Sequence, residues 1–290
     1  MINMTDNSLV LNSLNSLYID EIRSMVQQIN NSRDEASQID DSHGINHYLV
    51  VVQNVSYALE YTTLTMTDRE KLLVKLAGLL HDIDDHKYFP SHHNFENARK
   101  FLEKESIQKI DNLTRNDIST ILLMIYLVSS STHGDTIPLG IPEWYLYPRY
   151  ADRLESLGLI GLERTLEYTI KKAQPIFLHD TKRVKEGKDE LYGSIATVER
   201  YNNYKKSVSM IDHFYDKLLR LGDFPITNDY FIIECAKRID PLVQFIMDFS
   251  KKYPTEELVT NPTLLSYSKR DVDNFVHYVK NFIVKQNKLV

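Results

Sequence analysis

The sequence predicts an all-α protein, on three observations. Apolar residues recur at intervals of three and four through most of the chain, no comparable series of alternating strands accompanies them, and proline and glycine fall between the periodic stretches. The stretches lie near Leu17–Asn30, His47–Tyr61, Asp68–His81, Asn94–Lys104, Arg115–Val128, Trp144–Leu157, Leu162–Lys172, Ile195–Leu221, Asp229–Lys252 and Lys269–Lys285. Interruptions fall at Pro90, Pro138-Leu139-Gly140, Pro142, Gly187 and Pro225. No internal repeat is found.

Taken in order, Met1 to Leu17 mixes Asn, Ser, Thr and Asp among aliphatics. It has no early positive cluster followed by an apolar block, and is expected to be a flexible lead-in. In the second stretch His47 precedes Val51, Val55 and Ala58 at intervals of four, four and three, which places it on an apolar helix face. Leu72, Leu76, Leu79 and Leu80 do the same for the helix that ends at His81. Thr67 or Asp68 and Thr114, each just before a helical run with an acidic residue in its first turn, are the expected N-caps. Ile121 to Val128 is the longest purely apolar run; it is too short to span a bilayer and fits a buried helix. Lys182 to Glu190 is a mixed-charge stretch expected to be a solvated loop, and roughly the last forty residues form an added helical arm.

Composition bounds the function. With 290 residues and 42% hydrophobic content the chain can bury one large core with extensions. A single cysteine, Cys235, excludes an internal disulfide and favours a reducing, cytoplasmic setting. A net charge of −6, with Lys and Arg interspersed among Asp and Glu, argues against a nucleic-acid polymer as partner, because such surfaces need clustered cations. Small anionic substrates need only local positive charge.

Four residues have the chemistry to hold one metal ion: His47, the adjacent His81 and Asp82, and Asp152. Imidazole nitrogens and carboxylate oxygens make a mixed N/O site suited to a divalent cation that activates water. Adjacent side chains on a helix point about 100° apart, so the His-Asp pair needs partners from other helices. Asp152 has Leu154, Leu157 and Leu159 nearby, where a carboxylate needs a cation or a cap to offset its desolvation. A second pair, His179-Asp180, follows Gln174-Pro175-Ile176-Phe177 with no long apolar repeat and is expected in a loop.

At these positions the chain resembles the HD-domain metal-dependent phosphohydrolases, whose ligand order is H…HD…D. Asp41-Ser42-His43-Gly44-Ile45-Asn46-His47 looks like that family's opening segment. Leu79-Leu80-His81-Asp82-Ile83-Asp84-Asp85-His86-Lys87-Tyr88-Phe89 is similar to the branch whose motif reads LLHDxxDHKF. Ala151-Asp152-Arg153-Leu154-Glu155, continuing through Gly158, Gly161 and Arg164-Thr165, is similar to the same branch's ADRLDAIGxIGxxRT stretch. The likeness runs from about Ser42 to Leu221. One departure is that Gly44 stands where the family usually carries an acidic residue, which removes a carboxylate from the site's surroundings.

The resemblance implies an HD-domain helical bundle with an N-terminal extension over residues 1–35, the HD domain over 36–222 and a C-terminal helical extension over 223–290 packed on the same domain. It implies one divalent ion, among Mn, Mg, Fe, Ni, Co and Zn, held by His47, His81, Asp82 and Asp152. The expected activity is phosphohydrolysis of a nucleotide or similar small phosphate ester by metal-activated water. Asp85 is the candidate to orient that water or protonate the leaving oxygen, Lys87 to contact phosphate and His86 to do either. Arg153 is a further candidate to pair with a ligand carboxylate or with substrate. Two alternatives remain open at this level. One is a non-catalytic sensor on the same fold; the other is an oxygenase with a second metal on His92, His93 or His133.

Overall fold

The computed structural model describes residues 14–34, 37–39, 44–128, 137–203, 205–254 and 268–288, and every regular element among them is helical. The stretch from Met1 to Ser13, His43 and His133 fall outside the described residues. Two compact units emerge, one comprising the chain up to Asp152 with Ile226–Phe231, the other Arg153–Pro225 with the chain from Ile232 on. These divisions differ from the expected boundaries at residues 35 and 222.

In the first unit α1 covers Ser16–Asn31, α2 Ile45–Glu60, α3 Asp68–Leu80, α4 Glu96–Leu102, α5 Glu105–Asp111 and α6 Arg115–Val128. A 3-10 turn at Glu143–Leu146 leads into α7, Tyr147–Glu155. α3 packs on both α2 and α6. Tyr48, Val51, Val52, Val55 and Ala58 of α2 are all fully buried, as a helix surrounded by others requires. Gly78 sets the approach of α3 to α2: a Cβ there would lie 3.2 Å from Val55 Cγ2, so the missing side chain lets the helices rest closely just before His81.

The helix starts follow local chemistry. Thr67 accepts from the Glu70 amide at 3.2 Å while Glu70 reaches back to the Thr67 amide at 2.8 Å, a capping box. Thr114 and Asp117 make the same reciprocal pair at the start of α6, and Arg69 ties Asp117 to α3 at 2.8 Å. The helix expected near Asn94–Lys104 is α4, and a further short helix the spacing did not mark, α5, follows it and is capped by Asn112 in the left-handed conformation (φ 44°).

In the second unit α8 covers Gly158–Lys171, α9 Val198–Asn203 and α10 Met210–His213, which runs on as a π turn over Phe214–Leu218. The last two helices are α11, Asp229–Lys252, which enters this unit at Ile232, and α12, Lys269–Asn287. The start of α8 lies at Gly158, earlier than the expected Leu162, because Gly158 adopts φ 73° and turns the chain sharply after Glu155. The expected continuous helix from Ile195 to Leu221 is broken. Arg200 bonds Asp212 at 2.9 Å and also pairs with Asp216, while Ser209 starts a new helix by accepting from the Asp212 amide at 3.1 Å. Pro241, by contrast, is accommodated inside α11.

The core of this unit is aromatic: Phe177 meets Phe249 at 5.3 Å between centroids and Phe245 meets Phe282 at 5.4 Å. The stretch expected to be a solvated loop is only partly so. Arg183 and Val184 are buried, with the guanidinium 4.7 Å from the Phe249 ring, whereas Lys185, Glu186 and Lys188 are exposed. Among the described residues no helix is long and apolar enough to cross a membrane.

Candidate metal centre

The centre is assembled in the first unit by the middle of the bundle. His47 stands near the start of α2, His81 is the residue that closes α3, Asp82 follows it in the turn, and Asp152 comes from α7. The Nε2 atoms of His47 and His81 face each other at 3.1 Å. Asp82 Oδ2 lies 3.6 Å from His47 Nε2 and 3.4 Å from His81 Nε2. Asp152 Oδ1 lies 3.2 Å and 3.7 Å from the same two nitrogens. With metal–ligand bonds of about 2.1 Å, neighbouring donors are separated by about 3.0 Å at a right angle and about 3.4 Å at the tetrahedral angle. His47, His81 and Asp82 thus offer donors that all lie within 4.8 Å of one another, a group that could hold a metal ion, and Asp152 places an oxygen beside both imidazoles.

Electrostatics give the same answer. Burial opposes charge on His81, but the Asp82 and Asp152 carboxylates outweigh it and hold the imidazole well above its ordinary pKa. Burial likewise works against ionised Asp82 and Asp152, yet the imidazoles pull Asp82 down to about 2 and Asp152 well below the carboxylate range. The cluster demands positive charge at its focus. His81 Nδ1 donates to the Gly78 carbonyl at 2.8 Å, which leaves Nε2 as the ring nitrogen that faces the focus. The His47 and His81 side chains are 5% and 0% exposed, Asp82 and Asp152 18% and 29%, so the site opens on its carboxylate side.

Residues that position this set were not evident as functional in the sequence. Asn54, seven residues beyond His47 on α2, donates from Nδ2 to the Ala151 carbonyl at 3.3 Å and accepts from the Tyr230 hydroxyl at 2.8 Å. It thereby ties α2 to the residue before Asp152. Tyr147, at the start of α7, is held by Thr62 at 2.8 Å and Asn228 at 3.1 Å, and Arg149 Nε donates to the Leu127 carbonyl. The available signal was the Gln53-Asn54 pair, two amides that interrupt an otherwise apolar run from Leu49 to Val55.

Asp85, His86 and Lys87 lie in the turns that follow Asp82. Asp85 Oδ1 accepts from the Lys87 amide at 2.9 Å, its Oδ2 is 3.9 Å from Lys87 Nζ, and its side chain is 18% exposed. His86 and Lys87 are exposed, and Arg153 is buried. Asp84 serves the scaffold. Its carboxylate accepts from the Asn97 and Ala98 amides at 3.0 and 2.9 Å and pairs with His92 Nδ1 at 2.6 Å. Asp84, His92 and Glu96 lie close enough together to form a second cation group, but Asp84's oxygens are committed to the start of α4. His93 is exposed. His179 and Asp180 are exposed in a turn of the other unit.

No family model matches the chain. Among solved structures, the chain is similar to an HD-superfamily hydrolase from Bacillus thuringiensis with a TM-score of 0.52 and 20% identity, over 81% of this chain and 95% of that one. A Lactobacillus plantarum protein gives a TM-score of 0.53 with 19% identity, over 81% of this chain and 96% of that one. The architecture is thus the HD-domain fold. An uncharacterized protein of Acanthamoeba polyphaga mimivirus is 36% identical over 220 residues, covering 71% of this chain and 88% of the relative. The chain belongs to the family of that mimivirus protein.

Proposed function

We propose that the chain is a divalent-metal-dependent phosphohydrolase acting on a nucleotide or a similar small phosphate ester. The observation that carries this reading is the convergence of four donors, two imidazole nitrogens and two carboxylate oxygens, with separations of 3.1 to 3.7 Å between the imidazoles and from each imidazole to each carboxylate. The likeness of the fold to a protein described as an HD-superfamily hydrolase supports it. The bound ion would supply a water of lowered pKa and neutralise charge on a phosphoryl group.

The chain's own residues would do the rest. His47 and His81 form a dry floor, held as neutral donors in the metal-bound state, and Asp82 and Asp152 form the rim where substrate arrives. Asp85 holds or returns a proton near that rim, in the turn that begins at Asp82. Lys87 and His86, both exposed, present positive charge and donors to a phosphate entering from solvent. With no basic stripe in the sequence, this local grip suits a small molecule and offers little to a polymer backbone.

The test is turnover of a panel of nucleotides and phosphate esters by protein loaded in turn with Mn, Mg, Fe, Ni, Co and Zn. Release of phosphate or pyrophosphate that stops on chelation is expected. Processive degradation of DNA or RNA would overturn the substrate class, and tight nucleotide binding without turnover would identify a sensor instead.

A further inference from the structure

On α12 in the second unit, Phe275, Tyr278 and Phe282 recur at intervals of three and four and are buried, while Asn274, Asn281 and Lys285 recur at seven and four and are exposed. On α11 Gln244, Asp248 and Lys251, spaced by four and three, are exposed in the same way. Together with Phe177 and Tyr253 these side chains line a cavity of about 1000 Å3. That volume lies at the top of the range of about 300 to 1,000 Å3 for small-molecule sites. No ligand candidate of the metal centre is among the lining residues.

The cavity floor is aromatic. Tyr253 stands 5.9 Å from Phe275, 5.7 Å from Tyr278 and 5.4 Å from Phe177 between ring centroids. Lys252 holds its ammonium 4.2 Å from the Tyr278 ring centroid and 5.8 Å from that of Tyr253. The ring faces thus fix a positive charge at the floor, and its three N–H donors suit an anion. Lys251 and Lys285 bring two more ammonium groups to the lining. Two carboxylates also line it, and both already accept from protein donors. Asp248 accepts from the Tyr278 hydroxyl at 3.0 Å, and Asp271 closes the capping box of α12 with Ser268.

Three kinds of group therefore meet here: flat apolar faces, ammonium groups, and the amides of Gln244, Asn274 and Asn281, which both donate and accept. Inorganic phosphate would use the lysines alone, and a fatty acid would use lysines and floor but not the amides. A nucleoside phosphate uses all three, stacking its base, pairing the base edge and neutralising its phosphate. We propose that this cavity is a second ligand site, separate from the metal centre, that binds a nucleoside phosphate with its base on the aromatic floor and its phosphate at Lys251, Lys252 and Lys285. Binding there needs no metal ion and does not rest on the phosphohydrolase reading.

The test is calorimetric titration of the full chain with ATP, GTP, CTP and UTP in chelator, beside adenosine and inorganic phosphate alone. At least one nucleotide should bind once per chain, with adenosine and phosphate each at least about 10-fold weaker, since each lacks one half of the contacts. Asp82→Ala should bind that nucleotide as wild type does. Lys252→Ala and Lys285→Ala, at exposed positions and with circular dichroism unchanged, should each weaken it by about 10-fold, as the loss of a contact to a charged group does. No binding of any nucleotide, or undiminished binding in both lysine variants, would overturn the proposal and leave the phosphohydrolase reading standing. Binding lost in Asp82→Ala would overturn it by placing the nucleotide at the metal centre. Laurate or a single-stranded oligonucleotide held more tightly than every nucleotide would overturn it by assigning the cavity to a lipid or a polymer.

Discussion

The chain contains the same dipeptide twice with opposite outcomes. His81-Asp82 closes α3, its imidazole wholly buried and its partners His47 and Asp152 within 3.7 Å. His179-Asp180 lies exposed in a turn of the other unit. The side chains are identical, so the difference is one of support. A ligand pair requires a rigid helix end aimed at other helices, and a tautomer set by a neighbouring carbonyl, here Gly78.

The largest expected effect sharpens that contrast. Asp82→Ala removes one ligand and leaves the buried imidazoles without a carboxylate that favours positive charge at the focus. Most bound metal and nearly all turnover should disappear, with circular dichroism still helical; unchanged metal content by elemental analysis would break the comparison.

Next in size is the turn beyond the ligand pair. Asp85→Asn should keep the metal and slow the chemical step by about 10² to 10⁴-fold, the range for lost general acid–base help, as measured by single-turnover kinetics. Full activity would leave Asp85 as a turn-forming residue that caps the Lys87 amide. Loss of metal would move it into the ligand shell.

A smaller effect is expected at the support of Asp152. Asn54→Ala strips the Tyr230 hydroxyl of its acceptor and the Ala151 carbonyl of a donor, both buried. A loss of about 2 kcal/mol in denaturant unfolding is expected, together with weaker metal binding. Wild-type metal affinity in a destabilised Asn54→Ala would confine Asn54 to the scaffold.

His179→Ala should do the least. An exposed turn residue of the second unit ought to change stability by no more than about 0.5 kcal/mol, with metal content and rate at wild-type level. Loss of metal in this variant would mean that the two pairs had been assigned the wrong way round.

Much of the fold was legible because its signals are local. Apolar spacing of three and four located α2, α3, α6 and α12, and the Thr67 and Thr114 caps depend only on residues within one turn. The set of four candidate ligands was legible too, since His47 lay on an apolar face and His81 at the end of an apolar stripe. Long-range pairing decided otherwise where it competed with periodicity. The stretch from Ile195 to Leu221 has a helical pattern, but Arg200 is satisfied by Asp212 and Asp216 only if the chain breaks between them.

The sequence by itself determined the helical class, most helix positions and the residue types able to hold a cation, because propensity, capping and ligand chemistry reside in the residues. Tertiary structure alone decided which of two His-Asp pairs is supported, and it turned Asn54 into a tie to Asp152 and Gly78 into a point of close approach. Those roles depend on what a side chain meets across the bundle, and distances between residues far apart in the chain are set only when the helices pack.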